Sequence, residues 1–241
     1  MKAVVVIPIY NEKENIEKLV YSIMKQKVDL DVLFVDDNSP DGSGILAEKL
    51  SQENPQIFVL HRQTKKGLGP AYINGFKWAL NNEYEIIMQM DADLSHDPNS
   101  IPEFLEKIKT NDAVFGSRYL NGVRVYNWPF KNLLISKLSN EFIRFMLRMD
   151  TTDTTTAFKS FRKKVLESID LDSLKGKQNA FLIELVYKVV KSGFKTQEIP
   201  FMFLGREAGK SKAELKSYLE SLLMVFKLMI TKTRVQSKKT I

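Results

Sequence analysis

Residues 86–98 read Ile86-Ile87-Met88-Gln89-Met90-Asp91-Ala92-Asp93-Leu94-Ser95-His96-Asp97-Pro98. A short, nearly apolar run stops at two carboxylates one residue apart, followed by turn-forming residues and a proline. Such a run, bounded by turn signals, is the pattern of a strand buried on both faces. Burial on both faces calls for helices above and below the sheet, and for parallel neighbours. The flanking sequence agrees. Residues 3–8 and 32–36 are further β-branched runs, and 57–60 and 112–116 are shorter ones. Between them the spacing predicts helices over 13–26, 43–52, 70–80 and 98–109; in the first, Ile16, Leu19, Val20 and Ile23 share one face. This alternation predicts an α/β fold, a mostly parallel sheet flanked by helices. Beyond residue 125 the pattern loosens. Helices are expected over 128–148, 180–192 and 211–231, extended chain over 196–203, and a strand or irregular segment over 153–161. No repeat or linker interrupts the chain, so one domain over 1–241 is expected.

The formal charge of +7 conceals an asymmetry: residues 1–100 carry 10 Lys/Arg against 15 Asp/Glu, and residues 101–241 carry 26 against 14. An acidic front that meets a cation and a basic back that meets anions would have this distribution. The chain has no cysteine. That excludes disulfides, thiolate metal sites and a cysteine nucleophile, and suits a reducing compartment. The apolar run 3–7 is too short for a leader and is closed by Pro8. No stretch reaches the ~20 apolar residues a spanning helix needs.

In open α/β sheets ligands bind beyond the carboxyl ends of the strands. Four expected strand ends here are polar: Pro8-Ile9-Tyr10-Asn11-Glu12, Val35-Asp36-Asp37-Asn38, Met90-Asp91-Ala92-Asp93, and Gly116-Ser117-Arg118-Tyr119. Three of them are acidic, and carboxylates so placed repel unless a cation sits among them. Asp91 and Asp93 can both reach one hard divalent ion; Mg²⁺ or Mn²⁺ takes oxygen ligands and shares them with substrate phosphates. Such an ion would act as a Lewis acid on a departing diphosphate. Alone, Asp-x-Asp also fits a solvated acidic turn. Its position after an apolar strand, beside a second acidic strand end, favours the metal. His61 and His96 stand on different strand ends without paired spacing, so no metal site is expected of the pair; His96 could touch the donor, but ordinary solvation is expected of it.

Taken in order, with Gly67-Leu68-Gly69-Pro70-Ala71-Tyr72 and Arg206-x-x-Gly209-x-Ser211-Lys212, these stretches resemble the inverting glycosyltransferases of the GT-A fold, family 2. Within it the pattern is similar to the dolichol-phosphate (polyprenol-phosphate) mannosyltransferases, over residues 3–212. The resemblance implies a GT-A, Rossmann-like domain without a transmembrane segment. Residues 1–125 would form a nucleotide-sugar half, 126–212 an acceptor half, and 213–241 a membrane-proximal helix with a basic tail. Tyr10 would lie against the base, with Pro8 shaping the strand end. Glu12 would hold ribose hydroxyls and Asp37 would accept from base N–H groups. Val35 and Ala92 would line the same site. Asp91 and Asp93 would chelate Mg²⁺ or Mn²⁺, with Ser95 where some members carry a Gln ligand. Arg118, Arg206 and Lys212 would clamp the phosphates of donor and acceptor, completing the catalytic set with Asp91 and Asp93.

The implied reaction moves mannose from GDP-mannose to dolichyl or polyprenyl monophosphate with inversion. The implied setting is peripheral, on the cytosolic face of a membrane, with a membrane subunit as a possible partner. A UDP-sugar such as UDP-glucose is the alternative donor, because Asp37 can serve guanine or uracil. A lipid monophosphate is already an anion near neutral pH, so it needs positioning and charge screening rather than a general base.

The departures from the family pattern gather on the acceptor side. Arg-x-x-x-Ser is replaced by Asn132 and Ser136, with Lys131 beside them as a substitute charge for the acceptor phosphate. Asp-x-x-Ser-Gly-Phe is replaced by Asp153-Thr154-Thr155-Thr156-Ala157-Phe158, and the later aromatic motif by residues 178–184. Residues 131–148 and 214–231 mix apolar and basic side chains as interfacial helices do, although two core helices with solvated outer faces would read similarly. The tail adds Lys232, Arg234, Lys238 and Lys239, each contributing roughly 1 kcal/mol of attraction to anionic lipid. A basic nucleic-acid-binding module and an inactive scaffold of the same fold are the competing classes. Acidic strand ends would repel nucleic acid, which is not expected as a partner, and retained Asp91, Asp93 and Arg118 argue against the scaffold.

Overall fold

The computed structural model describes residues 1–205 and 215–231. Strands β1 (Ala3–Ile9), β2 (Asp31–Asp36), β3 (Ile57–His61), β4 (Ile86–Gln89) and β5 (Ala113–Ser117) alternate with helices α1 (Lys13–Met24), α2 (Ser43–Glu53), α3 (Leu68–Asn81) and α4 (Ile101–Lys107). The later chain adds β6 (Val125–Tyr126), α5 (Phe130–Leu147), β7 (Lys159–Arg162), α6 (Lys163–Ser168), α7 (Gln178–Lys191), β8 (Thr196–Pro200), β9 (Phe203–Leu204) and α8 (Leu215–Ile230). Seven strands form one sheet in the order β3-β2-β1-β4-β7-β5-β8, and β6 pairs with β9 apart from it. All pairings in the large sheet are parallel except those of β7, which runs antiparallel to β4 and to β5.

Strand alternation divides the core in two. Val4 and Val6 face one side, with residues of α3, α7 and α8; Val5 and Ile7 face the other, with residues of α1 and α4. The chain order reverses between β1 and β4, which opens a crevice there, at the carboxyl ends of the parallel strands. β7 bears on the same crevice for the opposite reason. Because it is reversed, its entry, not its exit, lies at that edge. The irregular segment before it, residues 151–158, is thereby delivered to the ends of β4 and β5.

The expected elements are present with shifted limits. The helix expected from residue 128 starts at Phe130, because Pro129 is extended at its N-cap, and it stops at Arg148, which is left-handed with φ 51°. The uncertain segment 153–161 resolves into loop followed by β7. The helix expected over 211–231 is described from Leu215 onward. No helix among the described residues is long and apolar enough to cross a membrane.

Helix α3 lies close to the sheet at Gly75, where a Cβ would drive into Val6 and meet Val35. Gly75→Ala should therefore overpack this contact and cost about 1–3 kcal/mol. Urea unfolding should show a lower midpoint at unchanged slope.

Candidate active site

The crevice holds a cleft of about 250 Å³ and, beyond it, a larger cavity of about 1080 Å³. Of the expected nucleotide-sugar residues, Pro8, Tyr10, Glu12, Asp37 and Ala92 line the cleft. Asp91 and Asp93 stand where the two spaces join and line both. Val35 differs from expectation: its side chain is fully buried in the core against Gly75 and does not line the cleft. It is one residue off the strand end, on the inward-facing side of the pleat.

Asp37 is buried in a web of donors at the end of β2. One carboxylate oxygen binds the Arg62 side chain, and the other accepts from the backbone N–H of Lys66 (3.3 Å) and Gly67 (3.2 Å). The carboxylate thus ties β2 to the turn entering α3, a turn that needs glycine because Gly67 has φ 96°. Lys65, from the same turn, places its ammonium 3.6 Å from the centre of the Tyr10 ring.

Asp91 is held from two sides. Its Oδ1 accepts from the Tyr72 hydroxyl at 3.1 Å. Burial, then the nearby Asp91 charge, pushes that phenol well above its usual pKa, so it remains a donor. The backbone N–H of Asp91 donates to His96 Nδ1 at 3.1 Å, which leaves the imidazole proton on Nε2, facing Thr156 Oγ1. His96 is not solvated as expected. It is buried, stacked on Phe158 and edge-on to Phe201, and burial pushes its pKa down to about 3. It is a neutral support for the Asp91–Asp93 turn. Asp93 Oδ1 accepts from the N–H of Ser95, which is buried and lines the larger cavity.

Arg118 leaves β5 into the wall of that cavity and is 6% exposed. Its Nε and Nη2 bind the two oxygens of Asp153 at 2.6 and 2.8 Å, and Nη2 also donates to Thr155 Oγ1 at 2.8 Å. Burial opposes the charge on Asp153, but the guanidinium outweighs it and holds the carboxyl below its usual value. Arg118 is therefore a fixed cation rather than a swinging surface arm, and it packs beside Trp128 and Phe203. Glu198 of β8 holds the loop from below, accepting from Thr152 N and Oγ1 and from Asp153 N. Lys159 is fully buried close by, donating to the Thr156 carbonyl, and burial pushes its pKa down to about 7.

Of the residues expected at the acceptor, Ser136 lines the cavity and accepts from the Tyr119 hydroxyl at 2.7 Å. Lys131 is exposed on α5 and does not line it; the neighbouring Asn132 does. Arg206 and Lys212 lie outside the described residues. Sequence reading passed over Thr155, Lys159, Glu198 and Asn140 as site residues. Asn140 carried a signal nonetheless: an amide on the helical face that also bears Ile143 and Leu147.

The cavity wall is of two kinds. Asp91, Asp93 and Arg118 give it charge near the junction with the cleft; the described residues of α5 and α8 give it no charged side chain, but Phe142, Leu222 and Val225 together with Ser139 and Ser221. Outside the cavity these helices expose large apolar side chains, Phe130, Leu134 and Phe145 on α5 and Leu219, Leu223 and Ile230 on α8, among charged ones such as Lys131, Lys137 and Lys227.

A mostly parallel sheet with an acidic pair at the switch point and a large cavity beside it suits the binding of a nucleotide with a second substrate, and the family comparison names the class. Residues 4–170 match the family model described as "Glycosyl transferase family 2". The chain belongs to that family and is a glycosyltransferase. Its relatives include polyprenol monophosphomannose synthase of Mycolicibacterium smegmatis, 38% identical over 93% of this chain and 85% of the relative. Undecaprenyl-phosphate mannosyltransferase of Micrococcus luteus is 39% identical, over 88% and 87%. Dolichol-phosphate mannosyltransferase of Pyrococcus furiosus is 39% identical over 95% of this chain, which spans 64% of that longer protein. In fold the chain is similar to glucosyl-3-phosphoglycerate synthase of Mycobacterium tuberculosis. One structure of that protein, with Mn²⁺, UDP and phosphoglyceric acid, matches at a TM-score of 0.74 with 13% identity, over 95% of this chain and 78% of that one. Another, with Mg²⁺ and UDP, matches at 0.71 with 15% identity, over 95% and 79%.

Asp153→Ala would leave the buried Arg118 without its counter-charge. Removing one partner of such a pair costs about 3–5 kcal/mol. Chemical denaturation should register a loss of that order, well beyond that of an exposed pair such as Lys49–Glu53.

Proposed function

We propose that this glycosyltransferase moves mannose from GDP-mannose to the phosphate of a dolichyl or polyprenyl monophosphate, inverting the sugar. The observation that carries the reading is the cavity: charged where it meets the nucleotide cleft, and uncharged among the described residues of α5 and α8, where Leu138, Phe142, Ile143, Leu222 and Val225 line it among small polar side chains. A ligand with a phosphate head and a hydrocarbon tail has the same polarity profile. The names of relatives at 38–39% identity support mannose as the sugar and a polyprenyl phosphate as the acceptor.

The nucleotide end would use Tyr10 beneath the base, Glu12 at the ribose, and Asp37 with its Arg62 partner at the base edge. Pro8 and Ala92 would shape the cleft. Asp91 and Asp93 supply hard oxygen donors, which is the donor chemistry Mg²⁺ or Mn²⁺ selects when diphosphate oxygens and water complete its shell. Ser95 would assist through its hydroxyl. Asp91 and Asp93 would hold the metal, which would supply Lewis-acid stabilisation of the charge on the departing diphosphate. Tyr72 and His96 keep the two carboxylates aimed. Arg118, its Nη1 outside the bonds to Asp153 and Thr155, screens the acceptor phosphate as it approaches the sugar from the face opposite the diphosphate. Ser136, Arg206 and Lys212 would complete the acceptor side, with Lys131 a more distant positive charge. Residues 1–125 would thus serve the donor, 126–212 the acceptor, and 213–241 the membrane.

The protein would work peripherally at the cytosolic face of a membrane, its exposed α5 and α8 faces against lipid, alone or on a membrane subunit. The full chain should sediment with anionic vesicles and less with neutral ones; failure to sediment with either, alone or with membrane extract, would overturn the peripheral reading.

For the chemistry, the protein is offered labelled GDP-mannose, UDP-glucose and UDP-N-acetylglucosamine with polyprenyl phosphate in detergent, and lipid-linked sugar is counted. Mannose transfer should dominate; faster transfer from a UDP-sugar would replace the donor assignment. Asp91→Ala should abolish transfer and remove the Mn²⁺-dependent part of the thermal shift given by GDP. Normal turnover of that variant would refute the metal role.

A further inference from the structure

Helix α5 walls the cavity, yet only Asn140, Ile143 and Leu147 of its residues are buried. The two apolar ones set its distance from the body. Asn140 sets its direction, because its whole hydrogen-bonding capacity is engaged. The amide oxygen accepts from the Thr154 N–H at 2.8 Å and the Thr154 hydroxyl at 3.0 Å; the amide nitrogen donates to the Ser136 carbonyl and to Thr155 Oγ1, both at 3.0 Å. Thr155 is saturated in turn. Its hydroxyl accepts from Asn140 and from Arg118 Nη2 (2.8 Å), and donates to Asp153 Oδ1 at 3.3 Å. Arg118 therefore has Nε and both Nη2 protons committed to Asp153 and Thr155. Nη1 is the nitrogen outside these bonds, and one of the acceptors that aim it is held from α5.

We propose that Asn140 is a positioning residue that couples the placement of α5 to the orientation of Arg118 through the Thr155 hydroxyl. A lipid surface bearing on the outer face of α5 thereby adjusts the grip on the acceptor phosphate at the inner end of the cavity. This rests on the reading that Arg118 meets that phosphate and that α5 lies against lipid. Neither Asn140 nor Thr155 need touch the acceptor. Their effect falls chiefly on the acceptor, because the web ends on Arg118, whereas Asp91 is held by Tyr72 and by His96, which meets this loop at Thr156 and not at Thr155.

The test measures kcat and KM for donor and for polyprenyl phosphate, the latter in detergent and in anionic vesicles, for wild type and for Asn140→Ala, Thr155→Val and Thr155→Ser. Asn140→Ala and Thr155→Val should each raise the acceptor KM roughly tenfold, the scale of one hydrogen bond to a charged group. Donor KM and the GDP–Mn²⁺ thermal shift should be unchanged. The double variant should be no worse than either single one, because both break the same link. Wild type should bind acceptor more tightly in vesicles than in detergent, and the two variants should lose that difference. Thr155→Ser, which keeps the hydroxyl, should recover most of the loss. Thr155→Val carries the comparison where Asn140→Ala does not fold. Unchanged acceptor KM, additive losses in the double variant, or parallel rises in donor and acceptor KM would overturn the coupling alone. Absence of any transfer to polyprenyl phosphate by wild type would overturn the function reading, and the coupling with it.

Discussion

The ion pair between Arg118 and Asp153 is the interaction on which the site's architecture turns. Both groups are buried, and a buried charge is tolerated only when it is paired and its remaining donors and acceptors are met. Meeting them draws in distant parts of the chain. Asp153 arrives on the loop before β7, Glu198 comes from β8, and Thr155 is secured from α5. Burial acts on each neighbouring ionisable group in the direction that disfavours charge, raising Glu198 and lowering Lys159 to about 7. Arg118 and Asp153 keep their charges because they face one another. The result is a cation of fixed direction at the wall of a cavity, which needs no rearrangement when an anion arrives.

Supports in the crevice differ in reach. On the nucleotide side Asp93 is held within its own turn by Ser95, whereas Asp37 reaches 25 to 30 residues on, to the 62–67 segment. On the acceptor side hydrogen bonds span 14 to 46 residues of sequence, from Asn140 to Thr154 and from Glu198 to Thr152. What could be read beforehand followed the strand ends and not these long spans. The parallel half of the sheet and the convergence of Tyr10, Glu12, Asp37, Asp91 and Asp93 were legible, because periodicity locates a strand and its end locates a ligand.

The rest hid for physical reasons. β7 is Lys159-Ser160-Phe161-Arg162, too polar and too short to be recognised as an interior strand, and its reversed direction depends on partners far along the chain. The burial of His96 is set by Phe158 and Phe201, which only the folded sheet brings beside it. Lys131 was the charged candidate next to Asn132, but helical geometry turns the lysine outward and the asparagine inward. Val35 sits one pleat from the cleft, a distinction that needs the register and not merely the strand.

The reversed strand also orders the assembly of the molecule. β4 and β5 do not touch as ladder partners; each pairs with β7. The β1–β2 ladder joins residues 27 apart, whereas the β4–β7 ladder joins residues 70 to 76 apart. The β1–β4 ladder joins residues 83 apart, so by chain entropy β1, β2 and β3 can zip first, while β4 and β7 each close a longer loop. A ribosome that has released residues 1–90 has already released every strand of the donor cleft. The acceptor cavity needs Lys159–Arg162 between β4 and β5, which brings Asp153 to Arg118, and then α7 and α8, which add Ile183, Leu222 and Val225 to its wall. The strand that joins the two halves of the sheet thus also carries the partner with which Arg118 leaves water.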